Sequence, residues 1–181
     1  MRQQLVEMML EFGYKRSDTP FRLASGRLSH DYVDAKAGIA RGSRLQIVGE
    51  AIKELADRRG VEFDAIGGLT MGADPVALSV AIACDKAWFT VRKEPKEHGR
   101  QRRIEGTELG PGTRVLLVDD VITLGGSILE ALDVILESGA EVVLSTALVD
   151  RGDVGKSLFE QRGVAYEPLL TYADLGIDPV S

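Results

Sequence analysis

Two adjacent carboxylates, two hydroxyls and two glycines occur within residues 115–132, VLLVDDVITLGGSILEAL. The apolar run before Asp119 and Asp120 predicts a buried strand, and the apolar spacing after Ser127 predicts a helix. In open α/β sheets the strand ends line the ligand crevice, and a helix N-terminus offers free N–H groups to an anion. The pattern therefore predicts a phosphate site at residues 123–127.

The residue types of this loop suit a phosphate. Gly125 and Gly126 let the backbone approach closely, and Thr123 and Ser127 add hydroxyl donors. Ser127 and Glu130 also have the spacing of a capping box, which predicts that the helix begins at Ser127. The combination of strand, hydroxyl-rich loop and helix favours phosphate binding over an ordinary turn.

The two carboxylates must bind a different part of the ligand, because a negatively charged carboxylate repels a negatively charged phosphate. Adjacent ribose hydroxyls, with Mg²⁺ nearby, suit Asp119 and Asp120 best. The loop matches neither GxGxxG nor GxxxxGK[ST], which excludes the dinucleotide and P-loop interpretations. A sugar phosphate remains as the ligand class.

A second candidate segment is basic. Six basic residues and two acidic ones lie between Arg92 and Arg103, although the whole chain has a net charge of −6. Residues 92–112 show no sustained apolar period, and connections of this length are usually disordered or functional lids. We predict a flexible catalytic loop here that bends at its glycines. A solvated basic surface is the alternative for the same residues.

Alternating strands and helices must position these residues. The continuous Val, Leu and Ile runs predict strands that are covered on both faces, so the expected fold class is α/β, a mostly parallel sheet with flanking helices and a small N-terminal hood. We expect a single domain over residues 1–181, with the hood at about 1–40 and the core at about 41–181. The predicted strands are 63–69, 87–92, 113–120, 141–150 and 166–171, and the predicted helices are 1–13, 43–60, 75–84, 127–138 and 155–161, with a hairpin over 20–38.

Composition excludes several classes of protein. The longest nearly uninterrupted apolar run has nine residues, 76–84, whereas a membrane-spanning helix needs roughly 20, so no membrane partner is predicted. The N-terminus lacks the apolar segment of a secretory signal, and the single cysteine, Cys84, suits a reducing cytoplasm. The acidic net charge argues against a nucleic-acid partner.

Five segments resemble one enzyme family. VLLVDDVITLGGS resembles the phosphoribosyl-pyrophosphate (PRPP) motif of type I phosphoribosyltransferases. RKEPKEHG is similar to the RKxxKxHG loop of orotate phosphoribosyltransferases, and FRLASGRLSHDYVD is similar to their N-terminal FxLxSGxxSxxYxD segment. GGLTMGADPVA lies at the position of the pyrophosphate loop, and Asp150-Arg151 adds a fifth match. On these segments the chain is identified as a member of the orotate phosphoribosyltransferase family.

The resemblance implies a reaction, in which orotate and PRPP give orotidine 5′-monophosphate and pyrophosphate during pyrimidine (UMP) synthesis. It implies Mg²⁺ as cofactor, held mainly through PRPP with no protein ligand assigned, and a cytoplasmic homodimer whose subunits share their active sites. Two alternatives stay open. One is a phosphoribosyltransferase for another base, and the other is a PRPP-sensing regulator without turnover.

The resemblance also implies catalytic residues. Lys96 and His98 of the basic loop would meet the pyrophosphate, and either could protonate it as it leaves. Asp119 and Asp120 would hold the ribose hydroxyls. A closing basic loop would stabilise the charge that develops on pyrophosphate and would exclude water.

Further positions follow from the same resemblance. Orotate would contact Thr123 and Arg151, and a guanidinium suits the orotate carboxylate. Some branches of the family carry lysine where this chain has Ala24 and within residues 70–73, so we expect anion binding to shift towards residues 92–103. The expected PRPP contacts are Arg92, Lys93, Lys96, His98, Asp119, Asp120, Val121, Ile122, Thr123, Leu124, Gly125, Gly126 and Ser127.

Overall fold

The N-terminal segment forms a helix followed by a small antiparallel sheet. The computed structural model describes residues 1–23, 26–94 and 103–180. In chain order the elements of the N-terminal segment are α1 (Arg2–Met8), a π-helical turn (Met9–Gly13), β1 (Tyr14–Arg22), β2 (Leu28–Val33) and α2 (Ala35–Ile39). The helix α1 continues directly into the π-helical turn, and α2 follows the two paired strands.

The described residues after α2 build one six-stranded sheet and its flanking helices. The elements are α3 (Gly42–Arg59), β3 (Ala65–Leu69), α4 (Ala73–Cys84), β4 (Ala87–Val91), β5 (Ile104–Gly106), β6 (Arg114–Ile122), α5 (Gly126–Glu137), β7 (Glu141–Asp150), α6 (Gly155–Glu160), β8 (Leu170–Thr171) and a 3-10 turn (Ala173–Leu175). The strand order is β5-β4-β3-β6-β7-β8, with β5 antiparallel to β4 and every other neighbouring pair parallel. The predicted α/β class with a mostly parallel sheet is therefore confirmed.

The central strand β6 shows why the sheet is covered on both faces. Leu116 and Val118 pack into one apolar cluster with residues of α3 and α4, whereas Val115 and Leu117 pack into another with residues of α5. All four side chains are fully buried. Successive side chains of a strand point to opposite faces, so an unbroken apolar run requires cover on both sides.

The N-terminal elements join the same core. Leu5 and Met9 before the small sheet, and Ile39 after it, belong to the apolar cluster that contains Ile52 of α3. Burial of these side chains fixes β1 and β2 beside the carboxyl ends of the large sheet. In the described part of the chain, no helix has both the length and the apolar character that a bilayer crossing requires.

The structure differs from the sequence predictions in two local details. The loop predicted over residues 92–112 includes the strand β5, which pairs with β4, and residues 95–102 of this loop lie outside the described residues. The predicted capping box is not formed, because α5 begins one residue before Ser127 and its N-cap is Gly125 with φ +79°. Glu130 instead forms an ion pair with Arg103. The pairing of β5 with β4 and the ion pair of Glu130 with Arg103 are tertiary contacts, which the local sequence pattern does not contain.

Candidate active site

A cavity of about 350 Å³ lies at the carboxyl ends of β3 and β6. The hood contributes one side, and the loop after β3 contributes another. The alternation of strands and helices along the chain explains this position. Parallel strands end at the same edge of the sheet, so the loops that follow them lie close together. The residues with polar or charged side chains that line it are Tyr32, Asp34, Lys36, Thr70, Lys93, Asp119, Asp120, Thr123, Ser127 and Arg151.

The two adjacent carboxylates have different surroundings. Asp119 is 5% exposed, and its Oδ1 accepts a hydrogen bond of 2.9 Å from the backbone N–H of Asp120. Burial, followed by the charge of Asp120, raises the pKa of Asp119 to about 8. Asp120 instead accepts a hydrogen bond of 3.1 Å from Lys36 Nζ. Asp119 therefore stays protonated near neutral pH, while Asp120 forms an ion pair.

The predicted phosphate loop borders a second cavity of about 310 Å³. Thr123 and Ser127 line both cavities, so the two share a wall. The left-handed backbone of Gly125 turns the chain into α5, and the first turn of this twelve-residue helix offers free N–H groups at the second cavity. Backbone donors and hydroxyls together make this a suitable site for a phosphate.

Arg151 follows directly after β7 and is only 2% exposed. Its Nη2 donates a hydrogen bond of 2.9 Å to Ser29 Oγ of the hood, whereas its buried Nε has no hydrogen-bond partner in the structure. Burial lowers the pKa of Arg151. Arg151 also lines the first cavity, where a guanidinium can bind a ligand carboxylate.

The preceding residue, Asp150, fixes the turn that carries Arg151. Its Oδ2 accepts hydrogen bonds from Tyr166 Oη at 3.0 Å and from the N–H of Gly155 at 3.2 Å. Its Oδ1 accepts one from the N–H of Gly152 at 3.2 Å. Burial and the neighbouring Asp150 carboxylate raise the pKa of Tyr166, so its hydroxyl remains a donor.

The remaining predicted residues are distributed unevenly. Lys93 lines the first cavity, and Val121 lines both cavities. Arg92 forms an ion pair of 3.0 Å with Glu105 and is not among the described residues that line the first cavity. Ile122, Leu124 and Gly126 line the second cavity, and the side chain of Ile122 is buried in the core. The two catalytic candidates Lys96 and His98 lie outside the described residues.

The structure adds three residues that sequence analysis did not assign to the site. Ser29 holds Arg151, and Lys36 pairs with Asp120. A Cβ atom on Gly72 would lie 2.6 Å from Asp120 Oδ1, so only glycine fits there without displacing that carboxylate. Ser29 could have been suspected from its place in the N-terminal segment, whereas nothing in the sequence distinguishes Lys36 from a surface lysine.

Comparison with known proteins assigns the class and then the family. The phosphoribosyl transferase domain matches residues 39–162. The orotate phosphoribosyltransferase of Pyrococcus abyssi is 38% identical over 97% of this chain and 95% of its own length. The crystal structure of Mycobacterium tuberculosis orotate phosphoribosyltransferase with Fe(III) dicitrate is 35% identical, with a TM-score of 0.83 over 97% of this chain and 99% of that one. The chain belongs to the orotate phosphoribosyltransferase family.

A second similar structure was solved with a bound ligand. The Mycobacterium tuberculosis orotate phosphoribosyltransferase in complex with PRPP is 32% identical, with a TM-score of 0.79. The match covers 97% of this chain and 99% of that chain. The two chains therefore share one fold over almost their full length.

Proposed function

We propose that the chain transfers the ribose 5-phosphate group of PRPP to N1 of orotate, in the pathway that makes UMP. One observation carries this proposal. The first cavity brings together the Asp119 and Asp120 carboxylates, the hydroxyl residues Thr123 and Ser127 of the phosphate loop, and the buried, partly unpaired Arg151. Ribose hydroxyls, a phosphate and a carboxylated base match these three groups.

The geometry supports one orientation of the substrates. The 5′-phosphate would bind at residues 123–127, the ribose hydroxyls at Asp120, and the orotate carboxylate at Arg151, leaving pyrophosphate near residues 70–73. The bond from ribose C1 to the pyrophosphate oxygen breaks, the bond from orotate N1 to C1 forms, and the N1 proton is released. The protein holds both reactants in line, which lowers the entropic part of the barrier.

The charge of the cavity indicates that more cations are needed. Among the described residues, three basic and three acidic side chains line it, and one of those acids, Asp119, is protonated near neutral pH. PRPP and orotate bring several negative charges to this nearly neutral site. We propose that Lys96 and His98 supply the missing positive charge and protonate the departing pyrophosphate.

Magnesium would come mainly with PRPP. The described residues contain no group of three or more His, Cys, Asp or Glu side chains that could hold a metal ion. This ion favours phosphate oxygens and water with only one or two carboxylates, and the cavity has room beside Asp119 and Asp120 for such a ligand. Bound in this way, Mg²⁺ would offset charge on the leaving group.

We also propose that the protein acts as a homodimer in the cytoplasm. Leu78 and Ile82 lie one helical turn apart on α4 and are 39% and 84% exposed, so they offer an apolar surface to a second copy. The single free thiol, Cys84, suits a reducing compartment. Sedimentation should give a dimer mass, and Ile82→Asp should shift it towards the monomer. A monomeric wild type would contradict the shared site.

The loss of orotate absorbance in the near ultraviolet tests the reaction. Purified protein is mixed with PRPP, Mg²⁺ and orotate, with uracil and hypoxanthine in parallel. We expect a loss only with orotate, dependent on both PRPP and Mg²⁺. Turnover of another base would agree with the assigned phosphate site but would overturn the assignment of Arg151 to the orotate carboxylate. Tight PRPP binding without turnover of any base would favour a regulator.

A further inference from the structure

We infer that Lys36 is a ligand of the PRPP pyrophosphate, and that it exchanges its ion pair with Asp120 for this anion when PRPP binds. The inference rests on the proposed function, because it assumes that PRPP occupies the cavity. Lys36 belongs to the short helix α2 of the hood and lines the same cavity as Asp120 and residues 70–72.

The position of the Asp120 carboxylate brings Lys36 close to the loop at residues 70–73. One oxygen, Oδ2, lies 3.1 Å from Lys36 Nζ. The other, Oδ1, lies 2.6 Å from the point where a Cβ atom on Gly72 would be. The ammonium group and the loop backbone therefore lie on either side of one carboxylate group. An anion at the loop would be within reach of the long lysine side chain.

The loop itself offers this anion backbone groups but no cation. Gly72 lines the cavity and is the N-cap of the twelve-residue helix α4, so the free N–H groups of the first helical turn begin beside it. The charged side chain that follows is acidic, and Asp74 is already engaged. Its two carboxylate oxygens accept hydrogen bonds from Thr70 Oγ1 at 2.7 Å and from Thr90 Oγ1 at 2.6 Å. A positive charge must therefore come from another side of the cavity.

Among the described residues, three cations line this cavity, and they are not equivalent. Arg151 is buried and held by Ser29 at the proposed orotate end. Lys93 lies at the start of the basic loop. Lys36 is the cation whose nearest acidic partner, Asp120, is needed for another purpose, since the ribose hydroxyls require that carboxylate as an acceptor.

Exchange of Asp120 for pyrophosphate as the partner of Lys36 is energetically favourable. The Lys36 side chain is 55% exposed, and ion pairs with this much solvent contribute little to stability. Pyrophosphate carries more negative charge than one carboxylate and presents several acceptor oxygens. Releasing Lys36 therefore loses little, and it frees Asp120 for the ribose at the moment when the ammonium gains a stronger partner.

Calorimetric titration of Lys36→Met with two fragments of PRPP tests the inference. With Mg²⁺ present, we expect the dissociation constant for inorganic pyrophosphate to rise about 10- to 100-fold, as for the loss of a charge-assisted contact. The constant for ribose 5-phosphate should stay within about twofold, because its phosphate binds at residues 123–127. In steady-state assays the KM for PRPP should rise while the KM for orotate does not.

Matched variants separate this role from a structural one. Lys36→Arg should retain most of the pyrophosphate affinity, and Lys53→Met, which removes an exposed lysine of α3, should leave both constants unchanged. Unchanged pyrophosphate binding in Lys36→Met would overturn the inference, as would an equal loss for both fragments. A wild type that binds neither fragment would instead refute the proposed function itself.

Discussion

The core side and the hood side of the cavity are built differently. On the core side, Asp119, Asp120 and residues 123–127 follow one another along β6 and into α5. On the hood side, Ser29 reaches Arg151 across 122 positions of sequence, and Lys36 reaches Asp120 across 84. The core side therefore places its groups through local backbone geometry, and the hood side adds charge and orientation through long-range contacts. We expect core substitutions to abolish chemistry and hood substitutions to weaken one substrate at a time.

Loss of the Asp120 charge should have the largest effect. Asp120→Asn keeps the shape of the side chain but removes the negative charge beside the ribose, where positive charge develops in the transition state. We expect kcat/KM to fall about 100- to 1,000-fold with the fold intact, and Lys96→Ala should cause a loss of similar size. Steady-state kinetics with circular dichroism would check this, and Asp18→Asn on the exposed hairpin is the control. Near wild-type rates would refute the assigned roles.

Replacement of Arg151 should affect orotate and spare PRPP. Arg151→Met removes a guanidinium that has a buried, unpaired Nε. We expect the KM for orotate to rise about 30-fold or more, with a much smaller change for PRPP. The stability of the unliganded protein should stay constant or increase, because a buried charge without a full set of partners is costly. A large rise in the KM for PRPP would show that Arg151 binds PRPP and that its assignment to orotate is wrong.

The buried carboxylate should make stability depend on pH. The pKa of Asp119 in the folded protein, about 8, lies above its ordinary value of 3.8. The contribution of Asp119 to the free energy of unfolding is therefore complete below about pH 4 and is lost as the pH rises to about 8. This group alone can give a slope of at most about 1.4 kcal/mol per pH unit. Urea unfolding from pH 5 to 8 should show a weaker dependence in Asp119→Asn. Equal slopes in the two proteins would mean that Asp119 is ionised when folded.

The smallest effect is expected at Ser29. Ser29→Ala removes the hydroxyl that accepts from Arg151 but leaves the guanidinium in place. We expect the KM for orotate to rise about three- to tenfold, since one hydrogen bond to a charged group is lost, while the KM for PRPP stays constant. Ser17→Ala in the neighbouring strand is the matched control. An equal change in both constants would point to a general disturbance of the hood.

Much of the fold could be predicted because its signals are local. The run VLLV at residues 115–118 is buried on both faces of the sheet, and that environment leaves a continuous apolar pattern. Strand β5 has only three residues and gains its structure by pairing with β4, as Ile104 does with Val91. A periodic pattern cannot be recognised in three residues, so the sequence predicts a loop here.

The candidate site divides in the same way. Asp119, Asp120 and the loop at 123–127 could be predicted because neighbours in sequence stay neighbours in space. Lys36 could not, because its role depends on α2 meeting the end of β6, and a single lysine in a short helix looks like any surface lysine. Helix α5 likewise takes Gly125 as its N-cap, although the residue types favoured Ser127.

The turn after β7 has a consequence for how base preference could evolve. Asp150 and Arg151 are adjacent, yet Asp150 is satisfied by Tyr166, Gly152 and Gly155, whereas Arg151 points into the cavity. One residue thus secures the architecture, and the next is available to the substrate. A substitution of Arg151 can therefore change which base the cavity accepts without disturbing the turn. The phosphate site at residues 123–127 stays as it is.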